Sequence, residues 1–221
     1  MLIKWIVCNV EHIDRPSFSS AQEKWNSIAR SPGFLAQLGG WDQKNLGEAC
    51  ILSLWRDQKS FDRFMNQVHD SVTESNSQVN TYTSIAVDYF KLNAEMPGKF
   101  KNLIEASREG RFLRVAVCNV KSERIDHFQR SQSDVWMPGM QQSVGMLGGS
   151  FNQSIRQENR FLVTTLWDNS KNHQRYVEEK LPLFRERADI STDLDAIVGR
   201  FIELEPNWLV LPTDDNPSFV I

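Results

Sequence analysis

The stretch Ile6-Val7-Cys8-Asn9-Val10 decides the fold, because it recurs as Ala116-Val117-Cys118-Asn119-Val120. The repeat continues along the chain at nearly constant spacing. Leu38-Gly39-Gly40 returns as Leu147-Gly148-Gly149, Leu54-Trp55 returns as Leu166-Trp167, and Val87 and Phe90 return as Val198 and Phe201. The shifts stay between 109 (148 − 39) and 112 (167 − 55) positions. Such self-similarity, kept in one order, predicts a single folding unit that has been duplicated.

Hydrophobic periodicity in the first copy predicts four strands and two helices. The strands are expected at Leu2–Val10, Phe34–Trp41, Ala49–Trp55 and Thr83–Leu92. One helix carries an apolar stripe of Phe18, Ala21, Trp25 and Ile28, and the other follows a cap at Asp57. The glycine pair at 39–40 indicates a bend or bulge in the second strand.

The second copy repeats this pattern. Its strands are expected at Phe112–Val120, Met146–Phe151, Arg160–Trp167 and Ala196–Leu204, and its helices at Ile125–Trp136 and Asn172–Leu181. The order β-α-β-β-α-β is that of the ferredoxin-like unit. We therefore predict an α+β protein with a first repeat over 1–92, a linker over 93–111, a second repeat over 112–204, and a tail over 205–221 that wraps the surface.

Each predicted sheet carries helices on one face, yet its second face is also apolar. That face holds Ile3, Trp5 and Val7 in the first copy and Leu113, Val115 and Val117 in the second. An apolar sheet face has to be buried. We predict that the two units pack sheet to sheet as a pseudo-dimeric α/β barrel. The chain would then be a monomer that closes on itself, or a homodimer.

Composition excludes several functional classes. The chain has 221 residues, a net charge of −3 and no cluster of Lys and Arg, which argues against nucleic acid and anionic membranes as partners. No apolar run approaches the ~20 residues that span a bilayer. The three cysteines lie far apart in apolar runs, which indicates buried, reduced thiols and a cytoplasmic location. Since no nucleotide-binding glycine motif, nucleophile elbow or His/Cys cluster is present, we predict neither a nucleotide cofactor nor a metal site.

Three motifs of the first copy suggest a family. Asn9 on the first strand, Pro32-Gly33-Phe34 at the second, and Leu54-Trp55-x-Asp57 before a helix resemble the antibiotic biosynthesis monooxygenase-like proteins. That family belongs to the dimeric α/β-barrel superfamily and includes cofactor-independent oxygenases and heme-degrading oxygenases. The resemblance covers 2–92 and 112–204 taken separately, so it implies a tandem-fused form.

The heme-degrading branch of that family makes a second comparison possible. Its strand-one asparagine maps onto Asn9 and Asn119. Its tryptophan or histidine, nine residues after the strand-three tryptophan, maps onto Phe64 and Tyr176. The helix histidine that would ligate iron has no counterpart, because His69 comes too early and the second copy has none there. We therefore expect no cofactor, with heme as the alternative that the resemblance leaves open.

The candidate site residues each have two interpretations. As catalytic groups, Asn9 and Asn119 would polarise a substrate oxygen or position dioxygen; alternatively each is a buried amide with a hydrogen-bond partner. The expected ligand-binding residues are Trp5, Trp55, Phe64, Trp167 and Tyr176, whereas Trp25 and Trp136 fit core packing better. Lys4 and Arg114 share a strand position, either as counter-charges for an anionic ligand or at a solvated strand end.

The function that follows from the resemblance is a monooxygenase-like activity. We expect a small aromatic or otherwise planar apolar substrate, bound in a pocket lined by Trp and Phe, without a nucleotide cofactor. The alternatives are a non-catalytic protein that binds heme or a hydrophobic metabolite, and a barrel that is only a packed core. Because lining residues differ between the copies, we expect a single open pocket.

Overall fold

The computed structural model describes residues 1–213, and it confirms the predicted α+β fold. The eight strands follow the closed hydrogen-bonded order β1-β3-β2-β8-β5-β7-β6-β4 of a barrel. Their bounds are Leu2–Asn9, Phe34–Asp42, Glu48–Trp55, Ser84–Pro97, Phe112–Val120, Met146–Ser154, Arg160–Trp167 and Leu194–Leu204, for β1 to β8 in turn. Within 1–213, no helix combines the length and the apolar character needed to cross a bilayer.

The chain divides into two units, and neither is continuous in sequence. Unit 1 comprises Met1–Tyr89 together with the chain from Ile202 onward, and unit 2 comprises Phe90–Phe201. Both boundaries fall inside a strand, because β4 begins in unit 1 and ends in unit 2, and β8 does the reverse. The sequence boundaries predicted at 92 and 112 therefore differ from those in the structure.

In unit 1 the strands β1, β3 and β2 form the centre of the sheet. β1 pairs antiparallel with β3 from Leu2↔Trp55 to Asn9↔Glu48, and β3 pairs antiparallel with β2. The helices are α1 (Arg15–Glu23), α2 (Gln58–Phe64) and α3 (Asp70–Asn76). A 3₁₀ segment, Lys24–Arg30, follows α1, and a π-helical segment, Met65–His69, joins α2 to α3.

Unit 2 repeats this arrangement around β5, β7 and β6, which are also antiparallel. Its helices α4 to α9 are Leu103–Ala106, Ile125–Ser131, Met137–Gln141, Ser170–Arg175, Leu181–Arg187 and Ile190–Asp193. Two π-helical segments interrupt the long helices: Gln132–Trp136 lies between α5 and α6, and Tyr176–Lys180 lies between α7 and α8. The helices predicted at Ile125–Trp136 and Asn172–Leu181 are therefore longer and less regular than expected.

The same helix cap occurs in both units. Asp57 precedes α2, and its Oδ1 accepts a hydrogen bond from the Ser60 backbone N–H at 2.7 Å, as predicted. Asn169 precedes α7, and its Oδ1 accepts from the Asn172 backbone N–H at 2.9 Å. Each cap provides an acceptor for a backbone N–H that has no partner inside the helix.

Strand β4 is longer than predicted. Its residues 94–97 pair with β6, from Ala94↔Phe151 to Pro97↔Gly148, so the segment expected to open the linker is part of a sheet. An irregularity between Leu92 and Ala94 separates this part from the earlier one. The polar Asn93 lies at that irregularity, so the sequence pattern there is typical of the end of a strand.

The first glycine pair does not mark a bulge, whereas the second lies beside the irregularity between Met146 and Gly148 in β6. In β2 the irregularity lies between Phe34 and Ala36, whereas residues 39 and 40 keep a regular pairing with β3. A side chain at Gly40 would overlap the carbonyl oxygen of Glu203, and one at Gly149 would overlap the carbonyl oxygen of Thr164. These glycines are needed because neighbouring backbones approach closely there.

Where the structure describes it, the tail places two buried side chains, Trp208 and Val210, in the core. Trp208 is 1% exposed and packs against Phe18 and Trp41, with ring centroids 5.6 and 5.5 Å apart. Beyond it, Val210 forms a backbone bridge with Gln37. Residues 214–221 of the predicted tail lie outside the described part of the chain.

Candidate functional site

Each unit encloses a cavity between its sheet and its helices, and the two cavities differ in volume and lining, as the divergence of the copies predicts. The cavity of unit 2 has a volume of about 570 Å³. Its lining residues come from β5, β7, β8 and the helical segments: Arg114, Ala116, Cys118, Phe128, Gln132, Trp136, Met140, Val163, Leu181, Arg185, Glu186, Ile190, Ser191, Leu194, Asp195, Ala196 and Ile197. This volume lies within the ~300–1,000 Å³ typical of sites for small molecules.

The floor of the unit 2 cavity is formed by alternate residues of β5. Arg114, Ala116 and Cys118 all face the helices, because every second side chain of a strand lies on the same face. Burial raises the pKa of the Cys118 thiol to about 12, although Arg114 and Arg160 act in the opposite direction. The thiol is therefore neutral at ordinary pH and is not a thiolate nucleophile.

One wall of this cavity contains a buried indole without a hydrogen-bond partner. Gln132 and Trp136, at the two ends of a π-helical segment, both line the cavity. Trp136 is 6% exposed, and its Nε1–H meets no acceptor within residues 1–213. Leaving a buried donor unsatisfied costs about 1–3 kcal/mol. A side chain that lines the cavity therefore carries an unsatisfied hydrogen-bond donor.

The opposite wall is held in place by a buried carboxylate. Asp193 is fully buried, and its Oδ1 accepts from Arg124 Nε at 2.8 Å while its Oδ2 contacts His127 Nδ1 at 2.8 Å. These bonds fix the segment that places Ile190 and Leu194 on the cavity wall. We interpret the cluster as structural support for that wall, because none of its three side chains lines the cavity.

The cavity of unit 1 is smaller, with a volume of about 290 Å³. Its floor is again made by alternate residues of β1, namely Lys4, Ile6 and Cys8. Burial lowers the pKa of Lys4 to about 8, against a smaller opposing effect of Cys8. Burial also raises the pKa of the Cys8 thiol to about 12.

A single difference between the units accounts for the unpaired indole. In unit 1, Trp25 Nε1 donates to Gln78 Oε1 at 2.7 Å, and Gln78 Nε2 donates to Gln22 Oε1 at 2.8 Å. Ser77 in unit 1 and Asp189 in unit 2 are the non-glycine residues with a left-handed backbone in the described chain. Gln78 follows the first, and Ile190 follows the second. Ile190 thus takes the place of Gln78. The substitution removes the acceptor and leaves an apolar wall.

The predicted catalytic asparagines lie outside both cavities. Asn9 is exposed, and its Nδ2 donates to Ser84 Oγ at 2.7 Å. Asn119 Oδ1 accepts from Arg160 Nη1 at 2.8 Å. Asn9 lies on the same face of β1 as Trp5, and Asn119 lies on the corresponding face of β5. The cavities adjoin the opposite faces of these strands, which carry Cys8 and Cys118. The pocket is predicted on the face of Asn9, Asn119 and Trp5, whereas both of these cavities lie on the other face, so the assignment of the three residues to a site stays a prediction.

Two of the other predicted ligand-binding residues line a cavity. Trp55 and Phe64 lie on the wall of the unit 1 cavity, with ring centroids 4.8 Å apart. Their equivalents Trp167 and Tyr176 are buried side by side at 5.1 Å in the core of unit 2 and do not line its cavity. Burial raises the pKa of Tyr176, whose hydroxyl has no hydrogen-bond partner in the described chain.

Sequence reasoning missed Gln132, Trp136 and Ile190. The stripe that contains Trp136 indicates packing, and the side chain is indeed buried, but periodicity cannot show that a cavity adjoins it. The signal for Ile190 is its equivalence to Gln78, which becomes visible only when the left-handed residues Ser77 and Asp189 are aligned.

The residues present do not fit heme. In unit 2 no histidine lines the cavity within residues 1–213, and Cys118 is held in its neutral form. In unit 1 His69 lines the cavity, but the volume of about 290 Å³ lies at the lower end of the small-molecule range, and its Nδ1 contacts Asp70 at 3.0 Å. In the described chain, no group of three His, Cys, Asp or Glu residues is placed to hold a metal ion.

The buried thiols agree with the sequence prediction. Cys8, Cys50 and Cys118 are all buried, and none of them forms a disulfide in the described chain.

Comparison with known sequences identifies relatives of the chain. Residues 2–90 match the model "Domain of unknown function (DUF4937)". The chain is 36% identical over 94 residues to the uncharacterized protein YdbC of Bacillus subtilis (strain 168), a match that covers 41% of this chain and 78% of that protein. YdbC is therefore about as long as one of the two copies.

Solved structures resemble the whole tandem chain. A Lactobacillus acidophilus NCFM protein named "putative monooxygenase" superposes with a TM-score of 0.72 and 14% identity over 95% of each chain. An anthrone oxidase-like protein gives a TM-score of 0.69 and 10% identity, covering 92% of this chain and 91% of that one. At such identities the likeness establishes the fold alone. The chain has the fold of these tandem proteins named putative monooxygenase, and it belongs to the family of YdbC.

Proposed function

We propose that the cavity of unit 2 binds a small planar apolar molecule with an acceptor oxygen, and that the chain acts on it as a monooxygenase-like enzyme without a nucleotide cofactor. The observation that carries the proposal is the buried Trp136 Nε1–H, which lacks an acceptor beside a cavity of about 570 Å³. The surrounding Phe128, Met140 and Val163 suit a flat apolar body. Arg114 lines the same cavity and makes no ion pair within the described residues, so its charge would complement a negatively charged oxygen of the ligand.

The chemistry that this arrangement favours is oxidation of an electron-rich carbon. A substrate with a CH₂ group between aromatic rings loses a proton and delocalises the charge onto its oxygen. Dioxygen then oxidises the carbon to a carbonyl; one oxygen atom enters the product and the other leaves with two protons as water. The indole N–H of Trp136 and the guanidinium of Arg114 would stabilise the charged oxygen. The likeness to an anthrone oxidase-like protein supports this class of substrate only through the fold.

The experiment compares two tryptophans that occupy equivalent positions. Oxygen uptake and binding are measured with 1,8-dihydroxyanthrone for wild type, Trp136→Phe and Trp25→Phe. We expect Trp136→Phe to weaken binding roughly tenfold, the value of one hydrogen bond, without lowering the melting temperature. Trp25→Phe leaves Gln78 without its donor, so it should lower stability and spare activity.

A gain-of-contact variant provides the matched control. Ile190→Gln recreates the amide that unit 1 uses to bond its indole, and it also fills part of the cavity. We expect this variant to fold and to lose binding. Unchanged oxygen uptake and unchanged binding in both Trp136→Phe and Ile190→Gln would refute the proposed site.

A non-catalytic binding function is the second candidate. It needs no proton acceptor, and on the floor of the cavity the Cys118 thiol is held neutral; catalysis would instead require Glu186 or Asp195, the carboxylates among the lining residues, to take up the proton. Binding of 1,8-dihydroxyanthrone without oxygen uptake above the protein-free rate would select this candidate. The role of Asn9 and Asn119 as catalytic donors stays a prediction.

A further inference from the structure

Three hydrogen-bond donors lie in a row across the sheet of unit 1. Lys4 on β1 is opposite Ser53 on β3, and Ser53 is opposite Gln37 on β2. All three line the cavity of this unit. Directly opposed residues have Cβ atoms about 4.5–5.5 Å apart, so the three side chains reach the same small volume.

None of these donors has the acceptor it needs among the described residues. Gln37 is 4% exposed, and its Nε2 has no hydrogen-bond partner. Ser53 Oγ accepts from Trp55 Nε1 at 2.9 Å, which leaves the hydroxyl proton to be donated. Lys4 makes no ion pair in the described chain, and its Nζ lies 5.8 Å from the centre of the Phe61 ring.

The cavity also lacks a negative group to balance Lys4. Its other titratable lining residues are Cys8, His69, Tyr82 and Tyr89. Burial raises the pKa of Cys8 to about 12 and raises that of Tyr82, so neither is an anion at neutral pH. The pKa of Lys4, lowered to about 8, still leaves the ammonium mostly charged there. A buried cation with two neutral donors beside it is complementary to a carboxylate.

We propose that the cavity of unit 1 is a second ligand site, which binds a small carboxylate with a single-ring or short apolar body. Lys4, Ser53 and Gln37 would hold the carboxylate, and the apolar body would pack against Trp55 and Phe64. The volume of about 290 Å³ restricts the ligand to a small molecule. This site does not depend on the function proposed for unit 2.

The equivalent row of three residues in unit 2 lacks one of the three hydrogen-bond donors. There Arg114 is opposite Thr165, and Thr165 is opposite Gly149. The cation and the hydroxyl recur, but the amide is replaced by glycine. The set of a cation, a hydroxyl and an amide is therefore complete in unit 1 and incomplete in unit 2.

The test uses benzoate and its uncharged analogue benzamide, titrated calorimetrically into the full chain. We expect wild type to bind benzoate at least about tenfold more tightly than benzamide. Lys4→Met should weaken benzoate binding by about tenfold or more and leave benzamide binding unchanged. Lys44→Met, which removes an exposed lysine that lines neither cavity, should leave benzoate binding unchanged.

A second variant separates the charge of Lys4 from its shape. Between about pH 7 and 9 wild type should lose affinity for benzoate as Lys4 deprotonates, whereas Lys4→Arg, charged throughout, should keep its affinity. Because both proteins contain His69, a difference between them reports on the side chain at position 4. Equal affinities for benzoate and benzamide in wild type would overturn the proposal. So would unchanged benzoate binding in Lys4→Met, because it would assign the benzoate to another site.

Discussion

Replacing Lys4 by methionine should stabilise the ligand-free protein. The ammonium group is buried beside apolar side chains and has no ion-pair partner within residues 1–213. Methionine has a flexible chain of similar length and no charge, so it can fill the same space without the desolvation penalty. The variant removes a charge and leaves the strand pairing of Lys4 with Ser53 intact.

The magnitude follows from the pKa of Lys4. Burial lowers it from 10.5 to about 8, and each unit corresponds to 1.36 kcal/mol, so the charged lysine destabilises the fold by about 3 kcal/mol. Because the unfolded chain holds the proton more tightly, this penalty is fully present below pH 8 and fades as the pH rises toward 10.5. The free energy of unfolding of Lys4→Met should therefore exceed that of wild type by about 3 kcal/mol near pH 7 and approach it near pH 10.5.

The buried thiols impose an opposite trend. Burial raises the pKa of Cys8 and of Cys118 from 9.0 to about 12, so the folded state keeps protons that the unfolded state loses, and stability falls above pH 9 in both proteins. The difference between variant and wild type cancels the contribution of Cys118 and leaves that of Lys4 with its smaller interaction with Cys8. Urea unfolding of both proteins at several values between about pH 6 and 10 provides the measurement. A less stable variant at neutral pH, or a difference that does not change with pH, would refute the reasoning.

Three further predictions concern the fold and the asparagines. Asp57→Ala and Asn169→Ala each remove an equivalent helix cap, and each should lower the free energy of unfolding by about 1 kcal/mol in urea. Trp208→Ala should cost about 3–5 kcal/mol, because the side chain is 1% exposed against two aromatic rings; a loss below about 1 kcal/mol would contradict its place in the core. Asn9→Ala and Asn119→Ala each remove one hydrogen bond outside the cavities, so we expect about 1 kcal/mol or less in stability and less than about a twofold change in the affinity for 1,8-dihydroxyanthrone; a hundredfold loss of oxygen uptake would restore their catalytic assignment.

The fold could be predicted from sequence because two independent signals agree. The duplication sets the number of units, and the two-sided apolar strands set their type. The strands Phe112–Val120 and Arg160–Trp167 begin and end where periodicity places them, because both are flanked by polar residues. Strand β4 was underestimated because Asn93 interrupts an apolar run that the partner strand β6 nevertheless pairs. Pairing partners override local pattern, and they are not visible in a single segment.

The cavities could not be located in the same way. Alternation shows that Cys8 and Asn9 lie on opposite faces of β1, but both faces of the sheet are apolar, so the pattern does not say which one adjoins a cavity. The asparagine drew attention because a polar group on an apolar strand requires a partner, and the structure supplies that partner in Ser84. The volume of each cavity depends on the distance between helix and sheet. That distance depends in turn on side-chain size at single positions such as Ile190, which lines the cavity of unit 2.

The π-helical segments make the cavity walls sensitive to chain length. A π turn holds one residue more than an α turn, and the cavity residues Gln132 and Trp136 stand at the two ends of such a segment, as do Met65 and His69 in unit 1. Deleting one residue from 132–136 would restore an α-helical ladder and rotate the side chains beyond it by about 100°. Relatives that are one residue shorter there would keep the fold and present a different wall to the ligand. Single-residue insertions and deletions, more than substitutions, are therefore the changes by which this scaffold can alter what it binds.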